Sequence, residues 1–296
     1  MTEEMSSYRW AFRCGSWTPT RSEWLFAARC IQREEKERIG QFVFAKDAKS
    51  AMAGRLLLRS FVCDSMRIPW SDIKLERSPR GKPCLKVCDD SRRGWSFNLS
   101  HQGDYTVLAA QQGVQVGVDI MKTVMPGSSS VPEFFRIMTR QFTAHEWSSI
   151  QSAGSERQQL AAFYRHWALK ESFIKAIGTG LGFNLQRVEF HLSPELLTPG
   201  HVLRQTKMYL DEEPEENWIF EESLLDADHH VAVALGAAGT PPPLQSFPPP
   251  ATFKLLSFSE LIASASPLTD EDPAYWENFK TRAEAPQRQS DAHRQA

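Results

Sequence analysis

The chain has 296 residues, of which 41 % are hydrophobic and 24 % are charged, a composition typical of a globular protein with about two domains. The formal net charge is −2, which excludes binding of nucleic acid or anionic membranes through overall charge, so an anion must be bound by a local cluster of cations. The N-terminal segment lacks the pattern of a signal peptide, and in the absence of a run of about 18 apolar residues no membrane span is expected.

Helices alternate with short strands in the first half of the chain. Thr20 and Glu23 form a capping box, which predicts a helix ending at Ile31. Asp47 is predicted to cap a long helix that Pro69 stops. The other predicted elements are a charged helix at 33–42, strands at 8–12, 73–77, 84–87 and 114–120, and two strands about the Gly-Asp turn of WSFNLSHQGDYTVLAAQQ.

The second half repeats this style, which indicates a duplicated α+β unit. Thr143 and Glu146 form another capping box, and Ser155 is predicted to cap a helix that ends near Gly178. Strands are predicted at 186–192, 207–211, 217–222 and 230–235. The predicted division is therefore into two α+β subdomains, residues 8–116 and 117–236.

A linker and a tail follow the two subdomains. Residues 241–250 contain six prolines, which predicts an extended linker over 237–252. The tail, residues 253–296, has one amphipathic piece and an aromatic patch of Trp276 and Phe279. From about residue 283 onward the composition predicts disorder.

The helical stretch WALKESFIKAIG, residues 167–178, raises the first functional question. Trp167, Glu171 and Lys175 are spaced i, i+4, i+8 and share one helix face. By itself this spacing is typical of an exposed ion pair that contributes little to stability. The neighbouring Ile174 and the GTGLG segment that ends the helix instead favour a site that a ligand can approach closely.

Acidic and basic residues elsewhere allow two interpretations each. Asp119, among valines and an isoleucine in VGVDIM, is either a turn residue or a ligand for a hard cation such as Mg²⁺. The basic turn RSPRGKP, residues 77–83, is either solvated or a clamp for phosphate. His101, beside Ser100, is either structural or a phosphate ligand.

Two further groups are interpreted as structural. The histidine pair at 229–230 precedes a predicted core strand, where neighbouring side chains point to opposite faces. Cys84 and Cys88 have no second pair that would complete a zinc site. The five cysteines are odd in number and scattered, which favours reduced thiols and a cytosolic protein.

Two motifs together resemble a known family. The segments GVDI (117–120) and WALKESFIK (167–175), with NLSHQGDY upstream, resemble the paired signature of the Sfp-type 4′-phosphopantetheinyl transferases. Over residues 8–235 the segments WAFRCGSW, EEKERIGQFVFAKDAK, AMAGRLLLR, PRGKP and VPEFF are similar to metazoan members of this family.

This resemblance implies a fold, a reaction and a set of partners. The implied fold is two similar α+β halves related by a pseudo-twofold axis, with coenzyme A in the cleft between them. The implied reaction moves phosphopantetheine from coenzyme A to a serine of an acyl or peptidyl carrier domain, with Mg²⁺, and releases adenosine 3′,5′-bisphosphate. The implied carriers are those of fatty acid synthase, aminoadipate-semialdehyde dehydrogenase and formyltetrahydrofolate dehydrogenase, and the enzyme is expected to be a cytosolic monomer.

The resemblance also implies roles for individual residues. Asp119 and Glu171 would bind Mg²⁺, and Glu171 and Lys175 would be catalytic. The implied coenzyme A ligands are Arg38, Arg77, Ser78, Pro79, Arg80, Gly81, Lys82, Asn98, Leu99, Ser100, His101 and Lys175. Many bacterial relatives have a second acid two residues after the aspartate, but this chain has Met121 there, so water or another residue must complete the coordination of the metal.

Two other functions compete with transfer. A coenzyme A sensor would keep the fold and bind coenzyme A without turnover, although the presence of both Glu171 and Lys175 argues against it. A structural partner protein would use the proline-rich linker and the aromatic tail as docking segments, and it predicts no Mg²⁺-dependent ligand binding.

Overall fold

The computed structural model describes residues 7–86, 94–237, 247 and 249–286. Its α-helices are α1 (Arg21–Arg29), α2 (Arg33–Gly40), α3 (Ala45–Met66), α4 (Val131–Ile137), α5 (Ala144–Gln151), α6 (Glu156–Ile177), α7 (Phe258–Leu261) and α8 (Pro273–Lys280). Its strands are β1 (Ser7–Phe12), β2 (Leu75–Arg77), β3 (Pro83–Leu85), β4 (Trp95–Gln102), β5 (Tyr105–Gln112), β6 (Val114–Lys122), β7 (Val188–His191), β8 (Lys207–Leu210), β9 (Glu213–Pro214), β10 (Trp218–Asp226), β11 (His229–Ala237) and β12 (Lys254–Leu255). In these ranges no helix is both long enough and apolar enough to cross a membrane.

Two sheets pack face to face at the centre of the molecule. One has the strand order β12-β1-β5-β4 and the other the order β10-β11-β6. Alternate residues of β5, such as Val107, pack against alternate residues of β11, such as Val233. The outer face of the first sheet packs on α3, and that of the second packs on α6. Burial on both faces explains why β5 and β11 are nearly continuous apolar runs.

Polar side chains of β4 join the two sheets. Four alternate residues of β4 accept hydrogen bonds of 2.5 to 3.3 Å from backbone N–H groups of β6. The pairs are Ser96 with Val116, Asn98 with Val118, Ser100 with Ile120, and Gln102 with Lys122. Because these bonds pair the otherwise open edge of β6, they fix its register against β4.

The tail packs on the first half of the chain. Strand β12 runs parallel to β1 and pairs with it. Helix α8 lies against α1, where the rings of Phe279 and Trp24 stack with centroids 3.9 Å apart. Arg282 donates a hydrogen bond of 2.6 Å to the carbonyl of Gly40, at the end of α2. The tail therefore supports the helices that precede the basic turn.

The predicted cap at Asp47 is wrong, and the tail explains why. Helix α3 begins at Ala45, after Phe44, which makes no side-chain capping bond, so Asp47 lies in the first turn. The N–H groups of the first two helical residues donate to the carbonyls of Ala283 and Glu284, at 2.9 and 3.1 Å. These backbone acceptors come from the start of the segment predicted to be disordered, and they replace a side-chain cap.

The other local predictions have mixed outcomes. The capping boxes at Thr20 and Thr143 and the cap at Ser155 are confirmed, and so is the α+β class. A fourth box, at Ser130, opens α4, which was not predicted. The division at residues 116 and 117 falls inside β6 and stays a prediction. Cys88, most of the predicted linker and residues 287–296 lie outside the described residues.

Candidate active site

A cavity of about 970 Å³ lies between the basic turn and α6. The turn and β4 form one side of it, and the second half of α6 with the Gly-rich segment that follows forms the other. Several of the predicted site residues line it, namely Ser78, Pro79, Arg80, Gly81, Lys82, Asn98, Leu99, Glu171 and Lys175. A cavity of this size accepts a ligand of the dimensions of a large nucleotide.

Gly117 has no Cβ atom, and this allows β6 to lie close to α6. A Cβ atom at this position would lie 2.0 Å from the carbonyl oxygen of Ser172 and 2.6 Å from the backbone nitrogen of Ala176. Only glycine therefore permits the strand and the helix to approach at this distance. Asp119 follows two residues later, on the same face of β6, and is thereby placed beside the stretch of α6 that carries Glu171 and Lys175.

Asp119 is an incompletely paired carboxylate in a buried position. It is 8 % exposed. Its Oδ1 accepts a hydrogen bond of 3.2 Å from the Ser100 hydroxyl and lies 3.7 Å from Lys175 Nζ. Its Oδ2 is buried and has no hydrogen-bond partner in the part of the chain that the structure describes. Burial raises the pKa of Asp119 to about 7; Lys175 opposes this shift, and the charge of Glu171 adds to it.

Glu171 and Lys175 face the cavity rather than bulk solvent. Lys175 Nζ donates a hydrogen bond of 2.9 Å to the carbonyl of Leu99. Burial lowers the pKa of Lys175, and the carboxylates of Asp119 and Glu171 oppose this shift. Burial also raises the pKa of Glu171, and the charge of Lys175 opposes this rise. The interpretation of this helix face as an exposed ion pair is therefore wrong.

The acidic pair fits a hard divalent cation. Burial raises the pKa of both carboxylates more than Lys175 lowers it, so a further positive charge beside them would favour their ionised forms. The unpartnered Oδ2 of Asp119 offers a ligand atom of the type that Mg²⁺ prefers. Met121 supplies no oxygen, and its side chain packs with the apolar cluster beneath α6.

The basic turn is held in place by its own contacts. Arg77 forms two hydrogen bonds with Glu35, at 3.0 and 3.2 Å, and donates a third, of 2.8 Å, to the carbonyl of Gly81. Arg80 donates to the carbonyl of Gly178, so the turn reaches the end of α6. Lys82 lines the cavity and its charge acts on Lys175. Arg77 thus supports the turn, whereas Lys82 is placed to meet a ligand.

Arg38 and His101 lie beside the cavity rather than among its lining residues. Arg38 pairs with Glu35, with an Nη2–Oε2 distance of 3.0 Å. Burial lowers the pKa of His101; the charges of Lys175 and Arg38 contribute, and Asp47 opposes them. A bound phosphate would offset the two cationic neighbours and favour the protonated imidazole.

The side chains of Asn98 and Ser100 are already engaged by β6, as described above. Their assignment to coenzyme A stays a prediction: Asn98 lines the cavity, and its bond to β6 uses only Oδ1. Ser100 also donates a hydrogen bond to Asp119. The carbonyl of Leu99 contributes indirectly, because it holds Lys175.

Sequence reasoning missed two ionic groups near the site. Glu35 is surrounded by three guanidinium groups, including that of the buried Arg55 at 3.9 Å. Lys170, 2 % exposed, pairs with Glu146 at 2.6 Å and donates to the carbonyls of two cavity residues. Charged runs such as REEKER are typical of solvated helix faces, so nothing in the local pattern indicated burial.

Comparison with known proteins relates both halves of the chain to the same type of enzyme. Residues 15–113 match the family described as 4′-phosphopantetheinyl transferase, N-terminal, and residues 115–234 match the 4′-phosphopantetheinyl transferase superfamily. The chain is 57 % identical over 292 residues to L-aminoadipate-semialdehyde dehydrogenase-phosphopantetheinyl transferase from Xenopus laevis, covering 96 % of this chain and 95 % of the relative. The human protein of that name is 54 % identical over 293 residues, or 97 % and 95 % of the two chains.

A bacterial relative matches over a shorter region. The 4′-phosphopantetheinyl transferase Sfp from Bacillus subtilis is 32 % identical over 162 residues, which cover 55 % of this chain and 66 % of the relative. These matches confirm the predicted resemblance and the predicted class of activity, coenzyme A-dependent phosphopantetheinyl transfer to carrier proteins. The cavity lined by the basic turn, Glu171 and Lys175, with Asp119 3.7 Å from Lys175, is thus found in a chain that belongs to the 4′-phosphopantetheinyl transferase superfamily.

Proposed function

We propose that this chain transfers phosphopantetheine from coenzyme A to a serine hydroxyl of a carrier domain in a Mg²⁺-dependent reaction that releases adenosine 3′,5′-bisphosphate. The observation that carries the proposal is the convergence of Asp119, from β6, with Glu171 and Lys175, from α6, beside one cavity of about 970 Å³. A sensor would need the cavity but not this buried charge arrangement.

Each charged group has a separate task in the proposed reaction. Asp119 and Glu171 would hold the Mg²⁺ ion, whose charge neutralises the diphosphate and favours in-line attack. The serine oxygen forms a bond to the phosphorus that bears pantetheine, and the bond from that phosphorus to the bridging oxygen breaks. Glu171 accepts the serine proton, directly or through a water molecule, and its raised pKa suits it to this role. Lys175 places positive charge beside the phosphates.

The basic turn and His101 are proposed to bind the adenosine end of coenzyme A. Lys82 lines the cavity without the bidentate pairing that occupies Arg77. His101 lies near Lys175 and Arg38, so an anion bound there meets three groups that are cationic or can become so. A local cluster of this kind can bind the 3′-phosphate even though the net charge of the chain is −2.

The proposed carriers follow from the relatives. The names of the Xenopus and human relatives refer to L-aminoadipate-semialdehyde dehydrogenase, so we propose the carrier domain of that enzyme as a substrate of this chain. We extend the proposal to the carriers of fatty acid synthase and formyltetrahydrofolate dehydrogenase, and to action as a monomer in the cytosol.

Mass spectrometry of a carrier domain tests the proposed function. An apo carrier incubated with this protein, coenzyme A and Mg²⁺ should gain about 340 Da, the size of the transferred group. Omission of Mg²⁺ should abolish the gain. A protein that binds coenzyme A but leaves the carrier mass unchanged would be a sensor, and the proposal of transfer would be wrong.

Lys82→Ala should raise KM for coenzyme A more than KM for dephospho-coenzyme A, because only the former carries the 3′-phosphate. Loss of one hydrogen bond to a charged group corresponds to about 1.5 to 3 kcal/mol, or roughly a 10- to 100-fold rise in KM. Lys86→Ala is the matched control, since this lysine of the same hairpin pairs with Glu76 at 2.7 Å. Steady-state kinetics with both substrates give the result, and equal rises for the two would remove Lys82 from the phosphate site.

Asp119→Asn should flatten the pH dependence of stability while abolishing transfer. In the folded chain the pKa of Asp119 is about 7, above that of an unfolded aspartate, so its favourable contribution is present at low pH and lost as pH rises through about 7. Without Mg²⁺, the unfolding free energy of the wild type should therefore fall more between about pH 5 and pH 8 than that of the variant. Chemical denaturation measures both profiles, and parallel profiles would contradict the assignment.

A further inference from the structure

A second cluster of ligand-forming side chains lies outside the cavity, between α5 and β7. His145 is the second residue of α5, and Glu189 and His191 lie on β7. One ligand atom from each of these three residues lies within 4.8 Å of the other two. His191 Nε2 and Glu189 Oε1 are 2.7 Å apart, and the imidazoles of His145 and His191 stack with centroids 3.9 Å apart.

The positions of the three residues follow from the local fold. Val188 and Phe190 are buried, so the alternation of β7 turns Glu189 and His191 together to its other face. Glu146, next to His145, accepts a hydrogen bond of 3.0 Å from the backbone N–H of Phe190. The same carboxylate pairs with buried Lys170. Helix α5 is thus fixed to β7, and the three ligand atoms are supported by ordered elements rather than by a loop.

We propose that His145, Glu189 and His191 form a binding site for Zn²⁺ that is separate from the acidic pair at the cavity. Two imidazole nitrogens and one carboxylate oxygen form a common zinc ligand set that leaves a fourth position open to water. Ligands at zinc distances lie roughly 3.3 Å apart in a tetrahedral site. Because the two imidazoles are stacked with their planes 12° apart, binding requires their rings to turn out of the stack so that both nitrogens face the ion. Mg²⁺ prefers oxygen ligands and does not compete for such a site.

Bound Zn²⁺ would join α5 directly to β7 and stabilise one wall of the cavity. Lys170, the partner of Glu146, donates hydrogen bonds of 3.1 and 2.8 Å to the carbonyls of Gln141 and Leu185, and both of these residues line the cavity. The three zinc ligands lie beside Glu146, at the end of this series of contacts that is away from the cavity. A cross-link there acts on the folded state alone and should raise the thermal midpoint through mass action.

Titration with ZnCl₂ of the full, metal-free chain, with its accessible thiols blocked by N-ethylmaleimide, tests the proposal. The expected result is one zinc per chain, with binding weakened more than about 100-fold by His145→Ala or His191→Ala, beyond the cost of losing an outer-shell partner. His201→Ala is the matched control, because His201 lies 3.7 Å from Glu195 in another His–Glu pair of the same half. Asp119→Asn should leave zinc binding unchanged.

X-ray absorption of the wild-type protein gives a second readout that needs no variant. The zinc edge should show two imidazole ligands and otherwise oxygen. No stoichiometric binding, binding that survives both histidine substitutions, or a spectrum without imidazole ligands would each overturn the proposal. Mass-spectrometric transfer of phosphopantetheine is a separate measurement, so failure of this proposal is distinguishable from failure of the proposed function.

Discussion

Glu171→Gln is expected to lower kcat by at least about 100-fold, the lower end of what a positioned acid–base group contributes, while the protein remains folded. Glutamine has nearly the shape of glutamate, so the packing of α6 should persist. It cannot accept the serine proton, and it removes one of the two charges proposed to hold Mg²⁺. Because burial raises the pKa of Glu171, the ionised carboxylate is unfavourable in the fold, and its removal should leave the thermal midpoint unchanged or raise it.

Glu156→Gln is the matched control for this prediction. Glu156 lies in the first turn of the same helix and is exposed, so its substitution changes the charge of α6 equally without touching the cavity. Transfer to an apo carrier at saturating Mg²⁺ gives kcat for all three proteins, and thermal unfolding reports on the fold. A Glu171→Gln enzyme that retains kcat within about tenfold of the wild type, less than a general base contributes, would remove Glu171 from the proposed roles.

Local signals predicted those elements whose hydrogen bonds are local. At Thr20, Thr143 and Ser155 the capping residue and its partner are three positions apart, so one short stretch of sequence shows both. The pairing of a GxD strand with the α6 motif predicted that Asp119, Glu171 and Lys175 share a site. In the structure Glu171 and Lys175 line one cavity and Asp119 Oδ1 lies 3.7 Å from Lys175 Nζ, whereas their roles in binding and catalysis stay predictions. Motif spacing can identify charged groups of this kind, because few residue types can act as a metal ligand or a phosphate-binding cation at a given position.

Features that depend on distant partners were not predictable in this way. The first N–H groups of α3 donate to the backbone carbonyls of residues 283 and 284. Every residue type has a backbone carbonyl, so the sequence at these positions does not reveal the cap. The family resemblance implies that Asn98 and Ser100 contact coenzyme A, which stays a prediction, but nothing in the local pattern indicated that Asn98 Oδ1 and Ser100 Oγ also accept hydrogen bonds from the backbone of β6. Lys170 and Glu146 form a buried ion pair, but on a helix wheel both resemble surface residues.

Gly117→Ala is expected to disrupt the site without altering any charged residue. The added Cβ would meet the carbonyl oxygen of Ser172 at 2.0 Å and the backbone nitrogen of Ala176 at 2.6 Å. Since these are backbone atoms, no side-chain rotation relieves the contact, and α6 must move away from β6 on the order of 1 Å. Overpacking of this kind costs about 1 to 3 kcal/mol of folding free energy. A 1 Å displacement of catalytic groups can lower the rate by roughly 100-fold.

Gly54→Ala separates this effect from a general response to added bulk in the core. Gly54 is buried in α3, but its added Cβ would find its nearest neighbour at 3.7 Å, and alanine favours helix. Its unfolding free energy and kcat should match or exceed those of the wild type. The Gly117→Ala variant should have a lower unfolding free energy and a lower kcat than the wild type. Adding Ala176→Gly to it should not restore either quantity, because the contact with the Ser172 carbonyl remains. Normal turnover in Gly117→Ala would mean that the spacing of β6 and α6 does not position Asp119 for the reaction.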